Sequence, residues 1–185
     1  MKMAIITNYS TPNLLKRSNI MTTLTYQKIS LADEAFLTKL LTNPNLMMLG
    51  WGKTFTKNDI DLWITKILAG YQQDDFSYYL VINNQQPIGI AGLLKTTINQ
   101  REVVEIAYII DEPFQRQGLA TQIVAELLTA AFNVYGLEEV VIQFNEEHHA
   151  SRRIAEKNGA LPLMTYKRKQ GTNLVNYDVY FVKKR

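Results

Sequence analysis

Hydrophobic and polar positions along the chain change their period several times, and each period predicts a type of element. Alternation with a period of two indicates a half-buried strand, whereas apolar positions three or four apart indicate an amphipathic helix. The strand-like segments predict seven strands, at residues 24–29, 78–82, 88–94, 103–110, 140–142, 161–167 and 177–182. The helical segments predict four helices, at residues 31–43, 58–68, 118–135 and 150–157.

The order of these elements, β-α-α-β-β-β-α-β-α-β-β, indicates the fold class. Strands joined by short polar turns, as at residues 83–87, are typical of antiparallel pairs. We therefore expect an α/β (α+β) fold with a mixed, mostly antiparallel central sheet of about seven strands flanked by four helices. Residues 1–21 lack a clear period and are expected to form an N-terminal arm, so that the domain spans residues 22–185.

Several local signals refine this picture. Residues 49–55 are rich in glycine and aromatic side chains and are expected to form a loop. Asn58 is expected to cap the second helix, and Gly136 to end the third helix in a left-handed conformation. Gly89 and Gly92 lie inside a predicted strand, which indicates a close approach of two backbones, and we assign no ligand to them.

Composition narrows the chemistry that is available. The 185 residues include no cysteine and only two histidines, which are adjacent at His148 and His149. The absence of cysteine excludes disulfides, thiolate zinc sites, iron–sulfur clusters and a cysteine nucleophile. We also expect no metal, because two neighbouring histidines make a poor ligand set. Any catalysis must therefore come from carboxylates, hydroxyls, amides or the backbone.

Charge and hydropathy predict few macromolecular partners. The formal net charge is +3, and the basic excess lies mainly at residues 167–169 and 183–185. We interpret these residues as a solvated hairpin and tail, and expect no nucleic-acid partner. No apolar run approaches the eighteen or so residues of a membrane span, and the apolar stretch at residues 3–6 is too short for us to expect a signal peptide. The expectation is a cytoplasmic protein without a membrane partner, either a monomer or a homodimer.

The most informative segment is residues 111–121, where a strand ends and a long helix begins. Pro113 stops the strand, and the first helical N–H groups have no partner within the helix. The helix dipole is also positive at this end. Gly118 and Ala120 would let the backbone amides approach a phosphate without interference from a large side chain. The segment lacks the lysine of a Walker loop, so it does not indicate a nucleoside triphosphatase.

This segment resembles a known signature. Residues 115–120, Gln-Arg-Gln-Gly-Leu-Ala, resemble the Q/R-x-x-G-x-G/A motif of the GNAT acetyltransferase superfamily, which binds the pyrophosphate of acetyl-coenzyme A (acetyl-CoA). Residues 105–110 look like the fourth strand of that superfamily, and residues 150–160 resemble the last helix of its RimJ/RimL-like branch. The resemblance implies a GNAT fold, acetyl-CoA as co-substrate and a set of cofactor-binding residues: Ile109, Ile110, Gln115, Arg116, Gln117, Gly118, Leu119, Ala120, Thr121, Asn145, His148 and Ser151.

The sequence departs from the family pattern in the last helix. The asparagine that usually opens this helix is His148 here, so either His148 or Asn145 is expected to contact the pantetheine. Many relatives protonate the leaving thiolate with a tyrosine, and the corresponding position here is Ala155. We name Ser151 as the substitute acid. Its alternative role is to satisfy backbone amides in the first turn of the helix.

Glu105 is the best candidate for the general base, because it is the only carboxylate in the strand that would flank the thioester. About a tenth of α-amines are neutral at pH 7, compared with about one lysine amine in 2,500. Deprotonating a lysine amine at pH 7 therefore costs roughly 4.6 kcal/mol. A modest base would therefore suffice for an α-amine. The alternative is that Glu105 pairs with Arg101 or with a lysine on a neighbouring strand.

The acceptor pocket is expected to include Trp51 and Tyr108. The resemblance implies the α-amine of a protein N-terminus as the acceptor, with small amines such as polyamines, aminoglycosides or amino acids as alternatives. Two other classes stay open: a CoA-binding regulatory module that has lost its catalysis, and a nucleic-acid binder that uses the basic C-terminal hairpin.

Overall fold

The computed structural model describes residues 23–73, 76–170 and 172–184. The arm predicted at residues 1–21 lies outside the described residues, as does Gly171 in the predicted turn of the last hairpin. Five α-helices are present: α1 Glu34–Leu41, α2 Pro44–Trp51, α3 Lys57–Gln73, α4 Leu119–Asn133 and α5 His149–Lys157. Seven strands are present: β1 Leu24–Lys28, β2 Tyr78–Asn83, β3 Gln86–Ile98, β4 Arg101–Ile110, β5 Glu139–Asn145, β6 Leu161–Gln170 and β7 Asn173–Lys183.

The seven strands form one sheet in the order β1-β2-β3-β4-β5-β7-β6. The neighbouring strands pair antiparallel except for β4 and β5, which run parallel. The register of β4 with β5 is confined to Glu105 opposite Val141. A parallel pair with a single register position leaves the two strands unpaired on either side of it, so the centre of the sheet is open there. The predicted α/β class with a seven-stranded, mostly antiparallel sheet is confirmed.

Helices cover both faces of the sheet and form two cores. On one face, α4 and α5 pack against the sheet through side chains such as Ile123, Val124 and Ala155. On the other face, α1, α2 and α3 bury a second cluster that includes Met47 and Ile64. Each buried aliphatic side chain contributes about 1.5–3 kcal/mol, so both cores stabilise the sheet from which the site is built. In the ranges that the structure describes, no helix combines the length and apolar character needed to cross a membrane.

The number of helices differs from the prediction. We expected four helices and a loop at residues 49–55, whereas α2 occupies Pro44–Trp51. The Asn43 side chain accepts a hydrogen bond from the backbone N–H of Asn45 at 2.9 Å, and Pro44 occupies the first helical turn, where its missing N–H costs nothing. Gly52 then ends the helix in a left-handed conformation with φ +71°. The glycines around Trp51 therefore belong to a helix and its end.

Three smaller predictions can also be compared with the structure. Asn58 was the wrong cap for α3, because the Thr56 hydroxyl accepts the hydrogen bond from the Asp59 N–H at 3.2 Å. The left-handed conformation of Gly136 is confirmed by its φ of +67°. The close approaches at Gly89 and Gly92 are also confirmed, since an added Cβ would lie 2.2 Å from the Ile109 carbonyl oxygen on β4 and 1.9 Å from the Ser77 carbonyl oxygen just before β2.

Candidate active site

The loop between β4 and α4 presents backbone N–H groups at the start of a long helix. Gly118 is the N-cap of α4 and has φ +82°, and Arg116 has φ +62°. A Cβ added at Gly118 would meet nothing within 4 Å, so the space in front of the helix is open. Backbone N–H groups at the positive end of a helix dipole form a site suited to a phosphate group. The loop therefore has the geometry expected from its sequence.

Most of the predicted cofactor residues in this loop offer backbone groups only. The side chains of Ile110 and Leu119 are buried in the core, at 7% and 4% exposure. The Gln115 amide donates to the Ile110 carbonyl at 2.9 Å, and the Gln117 amide donates to the Pro113 carbonyl at 2.9 Å. These side-chain hydrogen bonds fold the loop back on itself. The backbone N–H groups of the first α4 turn, from Leu119 to Thr121, have no acceptor within the helix and point towards the space in front of its N-terminus.

A network at the α1–α2 corner anchors the start of the same loop. Lys39 forms an ion pair with the buried Asp111, whose carboxylate also accepts a hydrogen bond from the Glu112 N–H at 3.0 Å. The side-chain amides of Asn43 and Asn45 donate to the Glu112 carboxylate at 2.7 Å and 2.9 Å. These two hydrogen bonds, with the nearby charge of Lys39, hold the pKa of Glu112 below its usual value. Helix α2, which the sequence analysis missed, thus helps to hold the loop.

The N-terminus of α5 lies on the same face of the sheet as α4. His148 is its N-cap, and its Nδ1 accepts a hydrogen bond from the Ser151 N–H at 3.1 Å. Because Nδ1 is an acceptor, the proton of the neutral ring sits on Nε2, which is available as a donor. Burial, and then the neighbouring His149, lower the pKa of His148, which favours this neutral form. The buried Asn145 side chain accepts from the Glu147 N–H at 3.0 Å and fixes the turn before the helix.

A cleft of about 670 Å³ opens where β4 and β5 separate. It passes from the α5 face of the sheet to the face covered by α2 and α3. Its lining includes seven of the predicted site residues: Trp51, Glu105, Tyr108, Ile109, Asn145, His148 and Ser151. The structure therefore brings the predicted base, the predicted acid and both predicted acceptor-pocket residues to one cavity.

Glu105 is held in this cleft by a chain of side chains. Its carboxylate accepts a hydrogen bond from the Gln143 amide at 2.7 Å, and the Gln143 carbonyl accepts one from the Tyr166 hydroxyl at 2.6 Å. Burial raises the pKa of Glu105 to about 7, against the opposing effects of the Gln143 hydrogen bond and the positive charge of Arg168. Arg101 forms its ion pair with Glu139 at 3.2 Å. The alternative pairing of Glu105 with Arg101 was therefore wrong.

Tyr108 and Ser151 meet on the α5 side of the cleft. The Tyr108 hydroxyl donates to the Ser151 Oγ at 3.3 Å, and burial raises the pKa of Tyr108 despite that hydrogen bond. Tyr108 packs against the α4–α5 core, whereas Ala107 and Ile109 pack against the core under α1–α3. Trp51 belongs to that second core. The two residues predicted for one acceptor pocket thus lie on opposite faces of β4, with Tyr108 beside Ser151.

Further cleft residues were not among the predicted site residues, and they include Gln143, Tyr166, Arg168 and Tyr177. Gln143 was omitted because the fifth strand was predicted to end one residue earlier. The alternation of Tyr166 and Arg168 along β6 was visible in the sequence. It carried no information on the cavity that these side chains reach, because β7 lies between β6 and β5.

Comparison with known proteins identifies the family. The model of the acetyltransferase (GNAT) domain family matches residues 23–161, which is most of the chain. The protein therefore belongs to the GNAT acetyltransferase family and is an N-acetyltransferase. The predicted superfamily is confirmed.

Solved structures show the same fold at low sequence identity. RimL, a ribosomal L7/L12 α-N-protein acetyltransferase in complex with coenzyme A, has a TM-score of 0.75 and 19% identity, covering 89% of this chain and 96% of its own. A spermidine N-acetyltransferase from Vibrio cholerae, in complex with CoA and spermine, has a TM-score of 0.72 and 18% identity, covering 86% and 95%. A GNAT-family acetyltransferase from Bacillus anthracis has a TM-score of 0.73 and 16% identity, covering 86% and 94%.

Proposed function

We propose that the protein transfers the acetyl group of acetyl-CoA directly to the α-amine of a protein or peptide N-terminus. The observation that carries this proposal is the Glu105 carboxylate, which the Gln143 amide holds at 2.7 Å in the cleft where β4 and β5 separate. Burial raises its pKa to about 7. A base with this pKa is half ionised at neutral pH. It suits an amine whose own pKa is 7.7–8.0, whereas a lysine amine or a polyamine needs a far larger shift.

The loop before α4 is the proposed binding site for the pyrophosphate of acetyl-CoA. Its open space at Gly118 and the free N–H groups of the first α4 turn fit a phosphate group. Arg116 is exposed beside them and would add a positive charge. The pantetheine arm would then enter the cleft past Asn145 and the Nε2–H of His148. The co-substrate supplies an activated acetyl thioester, so the chain needs no nucleophilic cysteine.

In this proposal, the two proton transfers take place on opposite faces of the cleft. Glu105 accepts a proton from the acceptor ammonium on the face that contains Trp51. Ser151 delivers a proton to the leaving thiolate on the α5 face, where the Tyr108 hydroxyl donates to the Ser151 Oγ at 3.3 Å. Through that hydrogen bond Tyr108 would reprotonate Ser151, and the second proton, which the nitrogen loses as the amide forms, would restore Tyr108. A backbone N–H of β4 is the proposed stabiliser of the developing oxyanion.

Thiol release separates the proposal from its alternatives. The purified protein is mixed with acetyl-CoA and an acceptor: a peptide with a free α-amine, the same peptide blocked at that amine but with a free lysine, spermidine or an aminoglycoside. Since the chain has no cysteine, it contributes no background thiol. We expect release with the free α-amine and little with the blocked peptide. Release with spermidine or the aminoglycoside alone would establish the small-molecule alternative instead.

A binding measurement completes the test. Titration calorimetry with CoA on the same samples reports whether the cofactor binds without turnover. CoA binding with no release on any acceptor would support the regulatory-module alternative and contradict the proposal. Mass spectrometry of the product peptide places the acetyl group on the α-amine or on a side chain.

A further inference from the structure

We propose that Arg168 is an anion-binding subsite in the acceptor half of the cleft, and that the acceptor carries a carboxylate close to its reacting amine. This inference rests on the proposed function and specifies its substrate class. It follows from the position of Arg168, its support by Tyr177, its lack of a carboxylate partner and the charge of the cleft around it.

Arg168 lies on β6 among the residues that face the cleft. Along this strand, Met164, Tyr166, Arg168 and Gln170 are half-buried, while the residues between them are exposed. Tyr166 on the same face reaches Gln143, which in turn holds Glu105. Arg168 therefore shares a strand face with the support of the proposed base.

Tyr177 supports the guanidinium group. The carbon at its centre lies 4.9 Å from the centroid of the Tyr177 ring, the distance of a cation–π contact. Tyr177 is only 2% exposed, and its hydroxyl donates to the Gly50 carbonyl at 2.5 Å. Gln170 donates to the Tyr177 hydroxyl at 2.6 Å. The buried ring, whose hydroxyl is held by these two hydrogen bonds, contacts the guanidinium without using its N–H donors.

Arg168 has no carboxylate partner in the described part of the chain. Cations that do form ion pairs there include Lys39, Lys53, Lys57, Arg101 and Arg152. A half-buried guanidinium loses part of its hydration, and that loss is recovered when an anion binds. Its planar fork of N–H donors matches a carboxylate through two parallel hydrogen bonds.

The charge of the cleft also favours an acceptor that carries an anionic group. Among the described residues that line it, Glu105 supplies the only carboxylate, whereas several lysines, including Lys66 and Lys167, line it together with Arg168. The positive charge of Arg168 opposes part of the burial-driven rise in the pKa of Glu105, so the two side chains are within electrostatic reach of each other. An acceptor amine near Glu105 would therefore place a nearby anionic group within reach of Arg168. A polycationic acceptor would meet repulsion from the lining cations.

The test compares matched acceptors. The first arm uses C-terminally amidated peptides with a free N-terminal serine, followed by two aspartates, two asparagines or two lysines. The second arm uses free serine and serinamide, which differ in the α-carboxylate alone. We expect the wild type to prefer the acidic acceptor over its neutral counterpart by about tenfold in kcat/KM, mainly through KM, in at least one arm. The arm that shows the preference identifies the source of the carboxylate.

Variants link the preference to Arg168. Arg168→Gln is expected to bring the acidic and neutral acceptors within about twofold of each other, with the neutral acceptor little affected. Arg168→Lys is expected to keep part of the preference. Lys184→Gln removes the same charge from an exposed position just after β7 and should leave the preference unchanged. Thermal unfolding of each variant checks the fold.

The outcomes separate this inference from the proposed function. Equal wild-type kcat/KM for acidic and neutral acceptors in both arms would overturn the anion subsite while leaving N-terminal acetylation intact. A preference that persists in Arg168→Gln would overturn the role of Arg168. No thiol release with any of the acceptors would overturn the proposed function and this inference together. Since the wild-type comparison needs no variant, the inference can be tested even if Arg168→Gln fails to fold.

Discussion

The loop before α4, which is the proposed phosphate site, and the proposed acceptor half of the cleft are built in different ways. The loop, residues 111–118, is one continuous segment that leads into α4, and its exposed donors are backbone N–H groups. The acceptor half combines side chains from separate strands. Gln143 is 38 residues from Glu105 in sequence, and Tyr166 lies 23 residues beyond Gln143. One region depends on backbone conformation, and the other depends on long-range contacts between side chains.

This difference has a consequence for specificity. A site formed by backbone N–H groups tolerates most side-chain changes, provided that the positive φ values at Arg116 and Gly118 are kept. A site formed by side chains on β4, β5 and β6 changes with any of them. We infer that substitutions on these strands can change the acceptor specificity while the protein still binds the same co-substrate. Substitutions in the two regions should therefore act on separate steps.

The largest expected effect is on the acceptor side. Glu105→Gln should lower kcat for a peptide acceptor about a hundredfold, because a positioned general base contributes roughly 10²–10⁴. The wild-type kcat should rise with pH up to about 7 and then level off, since Glu105 acts as a base only when it is ionised. The variant should lack this rise. Steady-state kinetics from pH 5.5 to 9 measure both effects.

The matched control for this variant is Glu102→Gln. Glu102 is an exposed carboxylate on the same strand, three residues away, and its loss should leave both kcat and the pH profile unchanged. CoA affinity should be the same in both variants. An unchanged pH profile in Glu105→Gln would remove Glu105 as the base.

The next largest effect is on the loop. Gly118→Ala should weaken CoA binding by at least tenfold, for two reasons. The φ of +82° becomes strained with a Cβ, at about 1–2 kcal/mol, and the Cβ would occupy the open space proposed for the phosphate. Titration calorimetry with CoA measures the loss of affinity.

Gly136→Ala separates strain from lost binding. Gly136 lies beyond the other end of α4, with φ +67° and nothing within 4 Å of an added Cβ. Its replacement should lower stability by an amount similar to that of Gly118→Ala but leave CoA affinity within about twofold. Equal affinities in the two variants would show that the phosphate does not bind in front of Gly118.

A smaller effect is expected at the α5 side of the cleft. Ser151→Ala and Tyr108→Phe should each lower kcat about tenfold, and the double variant should lose little more, because groups that act as a unit are not additive. His148 accepts its hydrogen bond from the backbone N–H of Ser151, so Ser151→Ala keeps the helix cap. Kinetics of the single and double variants form the test.

Thr129→Ala is the control for loss of a helical hydroxyl. Thr129 is exposed on α4, where its hydroxyl donates to the Ala125 carbonyl at 2.9 Å. It should leave kcat unchanged. Fully additive losses from Ser151→Ala and Tyr108→Phe would contradict a shared proton path.

The two regions also differ in how far the sequence alone predicts them. Pro113 and Gly118 bracket a change from strand to helix periodicity, and those local signals are sufficient to place the loop. The alternation of β4 likewise puts Glu105 and Tyr108 on opposite faces. Local signals do not reveal which layer of helices covers each face. For that reason the sequence assigned Tyr108 and Trp51 to one pocket without showing that Tyr108 lies on the α5 side of the cleft, beside Ser151.

The Tyr166–Gln143 contact and helix α2 were not predicted from the sequence, for two other reasons. The contact of Tyr166 with Gln143 depends on β7 lying between β5 and β6, which is a property of the whole sheet. Helix α2 was missed although Asn43 and Pro44 are a cap and a first-turn residue, because the glycines beside Trp51 favoured a loop. The Asn43–Pro44 start signal by itself predicts a helix at this position.

The smallest expected effect concerns His148, which belongs to the cofactor side but acts through a side chain. Its Nδ1 caps α5 only when unprotonated, and its folded-state pKa is lowered. The unfolded chain therefore takes up the proton first, so the stability due to this cap is present above about pH 6.5 and is lost as the pH falls further. His148→Ala should cost about 1 kcal/mol at pH 8. His148→Asn should restore the cap and abolish its loss in acid, as measured by urea unfolding at pH 8 and pH 5.5. If His148→Asn and the wild type lose the same stability between these two pH values, the titration of His148 does not control the cap. In that case no side chain on the cofactor side would be shown to act by titration, and the contrast with the acceptor half, which depends on side chains, would be sharper.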